Sequence, residues 1–170
     1  FAEVSAMQMQ MCMNDMRRAA APFMQANGDD ALRKALSHYM AVTPEWSRDQ
    51  YLDALVRRFN IARDWAVFFE KYPVLLMPNS WERQFAVDED QRSPERTAQI
   101  FLAQAPMLGT AVLGLPGLSV PTGVVDGLPV GVQLVAGKFR EDRLLAAGEV
   151  IERAAGFSAL EQLLAQAAAR

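Results

Sequence analysis

The stretch GLPGLSVPTGVVDGLPVGVQLVAG, residues 114–137, contains the triplet Gly-Leu-Pro twice, and each copy leads into a run of β-branched and aliphatic residues. This pattern predicts two strands, residues 117–120 and 130–136, each entered through a proline that removes no ladder hydrogen bond. The connection from Thr122 to Pro129 is too short for a helical crossover. We therefore expect the two strands to be antiparallel neighbours.

A third strand is predicted at residues 74–77, VLLM, a continuous apolar run between two prolines. A run without alternation is typical of a strand that is covered on both faces. Helical patterns surround these strands, at residues 3–26, 30–41, from Ser47 to Pro73, from Ser93 to Pro106, and 141–155. The order indicates an α/β protein with helices on both faces of a mixed sheet. Because three strands are few for such a sheet, we expect other strands to lie beside them.

The helix after Ser47 has the clearest signals. Ser47 and Gln50 have the spacing of a capping box, in which each side chain accepts a hydrogen bond from a backbone N–H at the helix start. The apolar stripe that we expect this helix to bury comprises Leu52, Leu55, Phe59, Ala62, Ala66 and Phe69. In the last predicted helix the residues expected to be buried are Leu144, Leu145, Gly148, Ile151 and Ala155.

Length and composition are those of a single globular domain of 170 residues, with 51% apolar and 22% charged residues. The net charge of −3 gives no electrostatic reason to expect nucleic acid or an anionic membrane surface as a partner. No apolar run is long enough to span a bilayer. The single cysteine, Cys12, favours a reducing compartment, so we expect a cytoplasmic protein. Because the first residue is Phe1, we also expect the chain to be part of a longer protein that could carry an upstream targeting segment.

The search for a catalytic nucleophile leaves no candidate. Ser119 lies in Gly117-Leu-Ser-Val-Pro121, which lacks the final glycine of a hydrolase elbow and places the serine inside a strand. His38 is the only histidine and has no cysteine near it in sequence, so a packed or surface role is favoured. With one histidine and one cysteine, a zinc site is not expected, and we predict neither a metal nor a cofactor.

Two other patterns have structural interpretations. The acidic run from Asp88 to Asp90 fits no calcium-loop frame and is predicted to be a solvated loop facing Arg83 or Arg92. Residues 109–114 have the glycine spacing of a phosphate loop but lack its Lys-Ser/Thr pair. The methionines of the first helix could form an adaptable binding surface, although filling a core is the commoner role.

The opening stretch resembles the C-terminal region of the amidase signature family. The resemblance rests on both Gly-Leu-Pro triplets together with Pro121, Gly131 and Gln133 in order, followed by Arg140-Glu-Asp-Arg-Leu-Leu145. Upstream, Trp65-Ala-Val-Phe-Phe and Tyr72-Pro-Val-Leu-Leu-Met-Pro78 are similar to the segment that precedes this region in family members. In all, the resemblance covers residues 47–156.

Membership of this family implies an amide hydrolase or amidotransferase with an α/β/α sandwich around a mixed sheet. The family's chemistry uses a serine nucleophile, a bridging cis-serine and a lysine base, which form an acyl-enzyme. The glycine- and serine-rich signature that holds those serines is absent from this chain, and its lysines, Lys34, Lys71 and Lys138, match no catalytic position. The chain also carries Ala111 where many members have asparagine.

The resemblance therefore implies a helix-rich C-terminal fragment that forms one partial domain over residues 1–170. Residues 1–71 are expected to be mainly helical, and residues 72–156 to supply strands and helices of the sheet layer. In such folds the loop after a buried strand closes over the ligand crevice at the strand's carboxyl end. The candidates for lining a substrate pocket are Met77, Pro78, Asn79, Ser80 and Trp81. Trp81 could equally pack beneath the loop.

Three functions remain open on the sequence. The first is the C-terminal portion of an amidase that cleaves amide C–N bonds, with no activity in the isolated chain. Its partners would be a small-molecule amide in the intact parent, and either the missing N-terminal catalytic half or a second copy of this chain over the open strand edges. The second is a non-catalytic structural or binding module. The third is part of a glutamyl-tRNA amidotransferase subunit of the A type.

Overall fold

A computed structural model of the chain describes residues 2–168. Its elements are α1 (Ala2–Ala19), α2 (Ala21–Asn27), α3 (Asp30–Val42), α4 (Arg48–Lys71), β1 (Val74–Pro78), a 3₁₀ turn (Glu89–Gln91), α5 (Pro94–Ala103), α6 (Ala105–Leu113), β2 (Gly117–Val125), β3 (Leu128–Ala136), α7 (Glu141–Ala155) and α8 (Ala159–Ala168). They divide into two compact units. Unit 1 comprises Phe1–Asp64 and Ser80–Leu113, and unit 2 comprises Trp65–Asn79 and Gly114–Arg170, so residues of α4 contribute to both.

Unit 2 contains the sheet, in the strand order β1-β3-β2 with both pairings antiparallel. The antiparallel neighbours predicted from the opening stretch are confirmed. Their connection is shorter than expected, because Asp126 and Gly127 form a two-residue turn with φ of 52° and 78°. Positive φ at both central residues is the requirement of a type I′ hairpin, and Asp-Gly meets it. The loop predicted from Thr122 to Pro129 is therefore wrong, since most of it is strand.

Helices cover both faces of this sheet, as an α/β/α arrangement requires. On one face the buried residues Phe69, Met77 and Val135 pack together with aromatic residues from the end of α4. On the other, Leu144 of α7 packs on a buried cluster that includes Leu134. The α/β class is confirmed. Among residues 2–168 every pairing between the three strands is antiparallel.

Strand β1 departs from the prediction that it is covered on both faces. Within the described part of the chain it pairs with β3 alone, and Leu76 is 58% exposed. Its neighbour Met77 is buried on the face that α4 covers. The apolar composition of the run indicated two covered faces, but α7 leaves Leu76 uncovered.

Unit 1 is helical, and part of its core is rich in methionine. Met13, Ala21 and Leu36 are buried there, and the partly buried residues packed around them are Met9, Met16, Met24, Tyr39 and Met40. These methionines fill a core, which is the commoner role given in the sequence section, and they do not form a binding surface there. The predicted helix over residues 3–26 is two helices that break at Ala20, and Pro22 lies in the first turn of the second.

Proline also explains a helix that the sequence analysis missed. Ser93 caps α5 as predicted, accepting a hydrogen bond from the backbone of Arg96 at 3.2 Å. Pro106 was predicted to end that helix, but it lies in the first turn of the separate helix α6. A proline near a helix start costs no hydrogen bond, so the residue alone does not distinguish an end from a beginning.

The capping box of α4 is confirmed. The backbone N–H of Ser47 donates to Oε1 of Gln50 at 2.8 Å, and that of Gln50 donates to Oγ of Ser47 at 3.2 Å. The predicted buried stripe is wrong in part, since Phe69 is buried but Phe59 is 71% exposed. The positions buried in its place are Ala54 and Ile61. Helix α4 has more than one apolar face, and its sequence does not say which of them is covered.

Helix α7 has the predicted bounds and ends at Gly156. Leu144 and Gly148 are buried as expected, but Leu145 is 65% exposed, contrary to the prediction. Helix α8 was not predicted. In the part of the chain that the structure describes, no helix is both long and apolar enough to cross a membrane.

Candidate functional site

The five predicted pocket residues run from the end of β1 into the following segment. Met77, Pro78 and Asn79 belong to unit 2, whereas Ser80 and Trp81 belong to unit 1. Each set has its own surroundings, which are described within its unit.

In unit 2 the sheet register brings Asn79 close to Ser119, a contact that the sequence analysis did not foresee. Met77 of β1 pairs with Gln133 of β3, and Gln133 pairs with Ser119 of β2. Asn79 follows the end of β1, and its Nδ2 donates to Oγ of Ser119 at 2.8 Å. Met77 is buried and Pro78 is exposed. A register that joins residues 40 positions apart has no signal in the sequence.

The Asn79–Ser119 pair has unused hydrogen-bonding capacity. Ser119 is exposed and Asn79 is half-buried. Apart from their shared bond, neither side chain has a hydrogen-bond partner among residues 2–168. The serine hydroxyl can therefore donate outward, and Oδ1 of Asn79 can accept. An asparagine amide cannot take a proton from the hydroxyl as a base would, which agrees with the non-nucleophilic interpretation of Ser119.

In unit 1 Ser80 serves to hold its own segment. Its Oγ donates to the carbonyl of Ala103 at 3.2 Å and accepts from the backbone N–H of Glu82 at 3.2 Å. The backbone N–H of Trp81 donates to the same carbonyl of Ala103 at 2.8 Å. The Trp81 residue is 55% exposed, so it does not pack beneath the loop.

The acidic run after Trp81 is a structural element of unit 1. Glu89 forms ion pairs with Arg92 at 3.3 Å and Arg96 at 3.1 Å, so the predicted Arg92 partner is confirmed and Arg96 was missed. The backbone N–H of Ala86 is the main cause of the lowered pKa of Glu89, and Arg96 lowers it further. The whole run is therefore tied into the fold by hydrogen bonds and ion pairs.

Asp90 joins this turn to helix α3. The hydroxyl of Tyr39 donates to its Oδ2 at 2.5 Å, and Nδ1 of His38 lies 3.0 Å from its carbonyl oxygen. Burial, with a smaller contribution from Asp90, raises the pKa of Tyr39 to about 12. His38 is thus a packed structural residue, as the sequence predicted. Residues 2–168 contain no group of three or more His, Cys, Asp or Glu side chains placed to hold a metal ion.

Unit 1 also has a cavity of about 730 Å³ that no sequence motif indicated. Side chains of both signs of charge line it, and these are Asp15, Arg17, Arg18, Glu45 and Arg48. Arg17 is engaged through one nitrogen, because its Nη2 donates to the carbonyls of Met40, at 2.9 Å, and Thr43, whereas its buried Nη1 has no hydrogen-bond partner among residues 2–168. This arrangement ties α1 to the end of α3.

Comparisons with known proteins define the class. The sequence model of the family described as Amidase matches residues 3–145. The chain belongs to this amidase family, and the resemblance drawn from the opening stretch is confirmed.

Individual relatives include both hydrolases and amidotransferase subunits. Indoleacetamide hydrolase of Bradyrhizobium japonicum is 40% identical over 107 residues, which are 62% of this chain and 23% of that protein. The A-type subunit of glutamyl-tRNA(Gln) amidotransferase from Rhodospirillum rubrum is 36% identical over 132 residues, 77% of this chain and 26% of that protein. The chain thus spans about a quarter of the length of the curated relatives it matches.

The fold agrees with a solved member. The crystal structure of the A-type subunit of glutamyl-tRNA(Gln) amidotransferase from Thermotoga maritima superposes with a TM-score of 0.50 and 21% sequence identity. The match covers 80% of this chain and 30% of that one. It supports the fold assignment.

Proposed function

We propose that this chain is the C-terminal portion of an amidase-family hydrolase, and that the chain by itself does not turn over amides. In the intact enzyme a serine from the remainder of the family domain attacks the amide carbon, and the C–N bond breaks as the nitrogen leaves with a proton. Water then cleaves the resulting ester to give the acid and regenerate the serine. The observation that carries the proposal is the family match over residues 3–145 in a chain that spans about a quarter of its relatives.

The surface of the chain supports a partner of this kind. Leu76 is exposed on β1, which lies at one edge of the sheet that residues 2–168 form, and exposed strand edges are ordinarily paired or covered. The exposed large apolar residues of α4 are Leu52, Val56, Phe59 and Val67. We propose that the remainder of the family domain covers these groups. A second copy of this chain is the alternative, and a concentration-dependent dimer of the isolated chain would favour it.

The test is a chimera in which residues 3–145 replace the matching segment of Bradyrhizobium japonicum indoleacetamide hydrolase. We expect the chimera to release ammonia from indole-3-acetamide, and the chain alone to release none. A second chimera, with alanine at the nucleophilic serine of the relative, is the blank. Ammonia release by the chain alone would contradict the proposal, and so would a folded chimera without activity.

Matched variants test the covered surface. Phe59→Asp is expected to abolish the activity of the chimera, because it places a charge on the apolar face of α4. Val87→Asp, at a residue that is even more exposed in a loop, is the control and should leave activity unchanged. Equal effects of the two substitutions would contradict a specific role for the α4 face.

An amidotransferase subunit is the second candidate, favoured by the length of the match to the Rhodospirillum rubrum protein. A chimera built on that subunit should then support amidation of Glu-tRNA(Gln), while the hydrolase chimera stays inactive on indole-3-acetamide. The mild acidity of the chain argues against direct contact between this portion and tRNA. As part of either proposal we place the protein in the cytoplasm, because its single cysteine suits a reducing compartment.

A further inference from the structure

The cavity of unit 1 combines arginine side chains with an aromatic and apolar surface. It lies where the end of α1 meets the start of α4, and its volume is about 730 Å³. Pockets for small organic molecules have volumes of about 300–1,000 Å³, so this cavity is of the size that such a molecule occupies.

Arg17 supplies a fixed positive charge at this cavity. Its Nη2 donates to the carbonyls of Met40 and Thr43, which holds the guanidinium against the end of α3. Its Nη1 is buried without a hydrogen-bond partner, and no carboxylate pairs with Arg17 among residues 2–168. A buried charge without a counter-charge destabilises a fold, so an anion in the cavity would compensate the charge of Arg17. Because Nη1 is shielded, Arg17 attracts this anion by its charge and not by contact through that atom.

Arg18 and Arg48 supply the donors that a ligand can contact. Both line the cavity and both are exposed. In the part of the chain that the structure describes, neither side chain forms an ion pair or a hydrogen bond. A guanidinium presents its N–H groups as a planar fork that matches the two oxygens of a carboxylate. Two unengaged forks at one cavity therefore favour an anionic ligand.

The charges of the lining indicate how much charge the ligand carries. The three guanidiniums are accompanied by two carboxylates, those of Asp15 and Glu45, so one positive charge is in excess. The hydroxyl of Tyr51 donates to Oδ2 of Asp15 at 3.2 Å. Burial is the main cause of the raised pKa of Tyr51, which Asp15 raises further and Arg18 lowers, so both charges lie near this hydroxyl. A single carboxylate matches the excess, whereas a phosphate group carries nearly two charges at neutral pH.

Trp46, Tyr51 and Leu52 provide a surface for the rest of the ligand. Trp46 and Tyr51 are half-buried, and Leu52 is 47% exposed. The backbone N–H of Trp46 donates to Oδ1 of Asn14 at 2.9 Å, which fixes the position of Trp46 beside α1. Aromatic side chains bind a planar ring by offset stacking or by edge contacts. The lining thus places an aromatic surface next to the arginines.

We propose that this cavity binds a small aromatic carboxylate, whose carboxylate contacts Arg18 and Arg48 and whose ring lies against Trp46 and Tyr51. The site goes beyond the proposed function, which does not use these residues.

Titration of the full chain with phenylacetate tests the site. The readouts are the dissociation constant and the indole N–H signals of the three tryptophans in ¹H–¹⁵N spectra, assigned with single Trp→Phe variants. We expect the Trp46 signal to shift and those of Trp65 and Trp81 to stay in place, although Trp81 is 55% exposed. No shift at Trp46, or a larger shift at Trp81, would overturn the proposal.

Two further ligands separate the charge from the ring. Phenylacetamide keeps the ring and has no charge, and acetate keeps the charge and has no ring. We expect each to bind about tenfold more weakly than phenylacetate, because each lacks one of the two kinds of contact. Equal affinity for phenylacetamide would overturn the role of the arginines, and equal affinity for acetate would overturn that of the aromatic surface.

Variants of the exposed arginines test the contacts directly. Arg18→Gln and Arg48→Gln are each expected to weaken binding of phenylacetate about tenfold, the loss expected for a hydrogen bond to a charged group. Arg63→Gln, at an exposed position of α4 away from the cavity, makes the same change in net charge and is the control. Because all three residues are exposed, the variants should fold. Equal weakening in all three would mean that net charge alone attracts the ligand, which would overturn the site.

The hydrolase chimera distinguishes a free carboxylate from one that belongs to the protein. With the Trp46 signal as readout, we expect phenylacetate to bind to the chimera as it binds to the chain. Binding to the chain and none to a folded chimera would mean that the remainder of the family domain fills the cavity. That result would overturn the assignment of a small-molecule ligand.

Discussion

The two units of this chain are stabilised in different ways. In unit 2 an Asp-Gly turn closes a hairpin, and aliphatic residues of the sheet pack against helices on both of its faces. In unit 1 a core rich in methionine is supplemented by polar contacts between distant segments, such as that of Tyr39 with Asp90. Sheet packing depends on side-chain shape, whereas methionine adapts to the space available. We therefore expect the stability of unit 2 to depend on the volume of its core side chains. The stability of unit 1 should depend on its polar side-chain contacts.

The largest effect is expected at the centre of the sheet. Leu134 is 2% exposed, and Leu134→Ala should lower the free energy of unfolding by about 2–5 kcal/mol, since it removes buried methyl groups and leaves a cavity. Leu76, paired with Leu134 across the strands, is the control. Because Leu76 is exposed, Leu76→Ala should cost less than about 1 kcal/mol. Urea unfolding measures both, and equal losses would show that burial in unit 2 does not govern its stability.

The hairpin turn should give the next effect. Gly127 has a φ of 78°, so Gly127→Ala is expected to cost about 1–2 kcal/mol through strain in the left-handed region. Asp126→Asn, at a φ of 52°, should be nearly neutral, because asparagine tolerates this conformation. Thermal unfolding of the two variants provides the comparison. A neutral Gly127→Ala would mean that the strands hold their register without the turn.

Unit 1 should respond to the loss of a single hydroxyl. Tyr39→Phe removes the hydrogen bond to Asp90 and is expected to cost about 1 kcal/mol in urea unfolding. The folded pKa of Tyr39, about 12, lies above the ordinary value of 10, because the fold favours the neutral phenol. The stabilisation of the fold by the neutral Tyr39 phenol is therefore complete below about pH 10, and it is lost as the pH rises to about 12. Absorbance of tyrosinate should show a step near pH 12 that Tyr39→Phe removes.

The smallest effect is expected at the start of α7. Arg140 forms a bidentate ion pair with Asp142, at 2.9 and 2.7 Å, and lowers the pKa of that carboxyl to about 2. The ion pair stabilises the fold when the pH is above the ordinary pKa of aspartate. The stabilisation is lost as the pH falls towards about 2, because Asp142 then becomes protonated. Arg140→Gln should raise the Asp142 pKa in carboxyl NMR titrations. The urea midpoint at neutral pH should hardly move, because solvent screens an exposed pair.

Several elements could be predicted because their signals are local. The bounds of α7, the capping box at Ser47 and the proline entry to each strand of the hairpin depend on residues within one or two turns. The family, too, could be read from the motif around Gly131 and Gln133. Burial was less predictable, as Phe59 and Leu145 show, because an apolar helix face is covered when another segment reaches it.

The candidate site was also predictable only in its local features. The sequence indicated that residues after β1 could line a pocket, and it indicated that Ser119 was no nucleophile. It could not join Asn79 to Ser119, since that contact follows from the pairing of three strands.

By itself, the sequence determined the class of fold, the antiparallel hairpin and membership of the amidase family, because periodicity, turn chemistry and short motifs act between neighbouring residues. Only the tertiary structure decided which apolar faces are covered, where β1 pairs and which polar side chains meet. Those outcomes depend on the register and packing of segments far apart in the chain, and no local pattern encodes them.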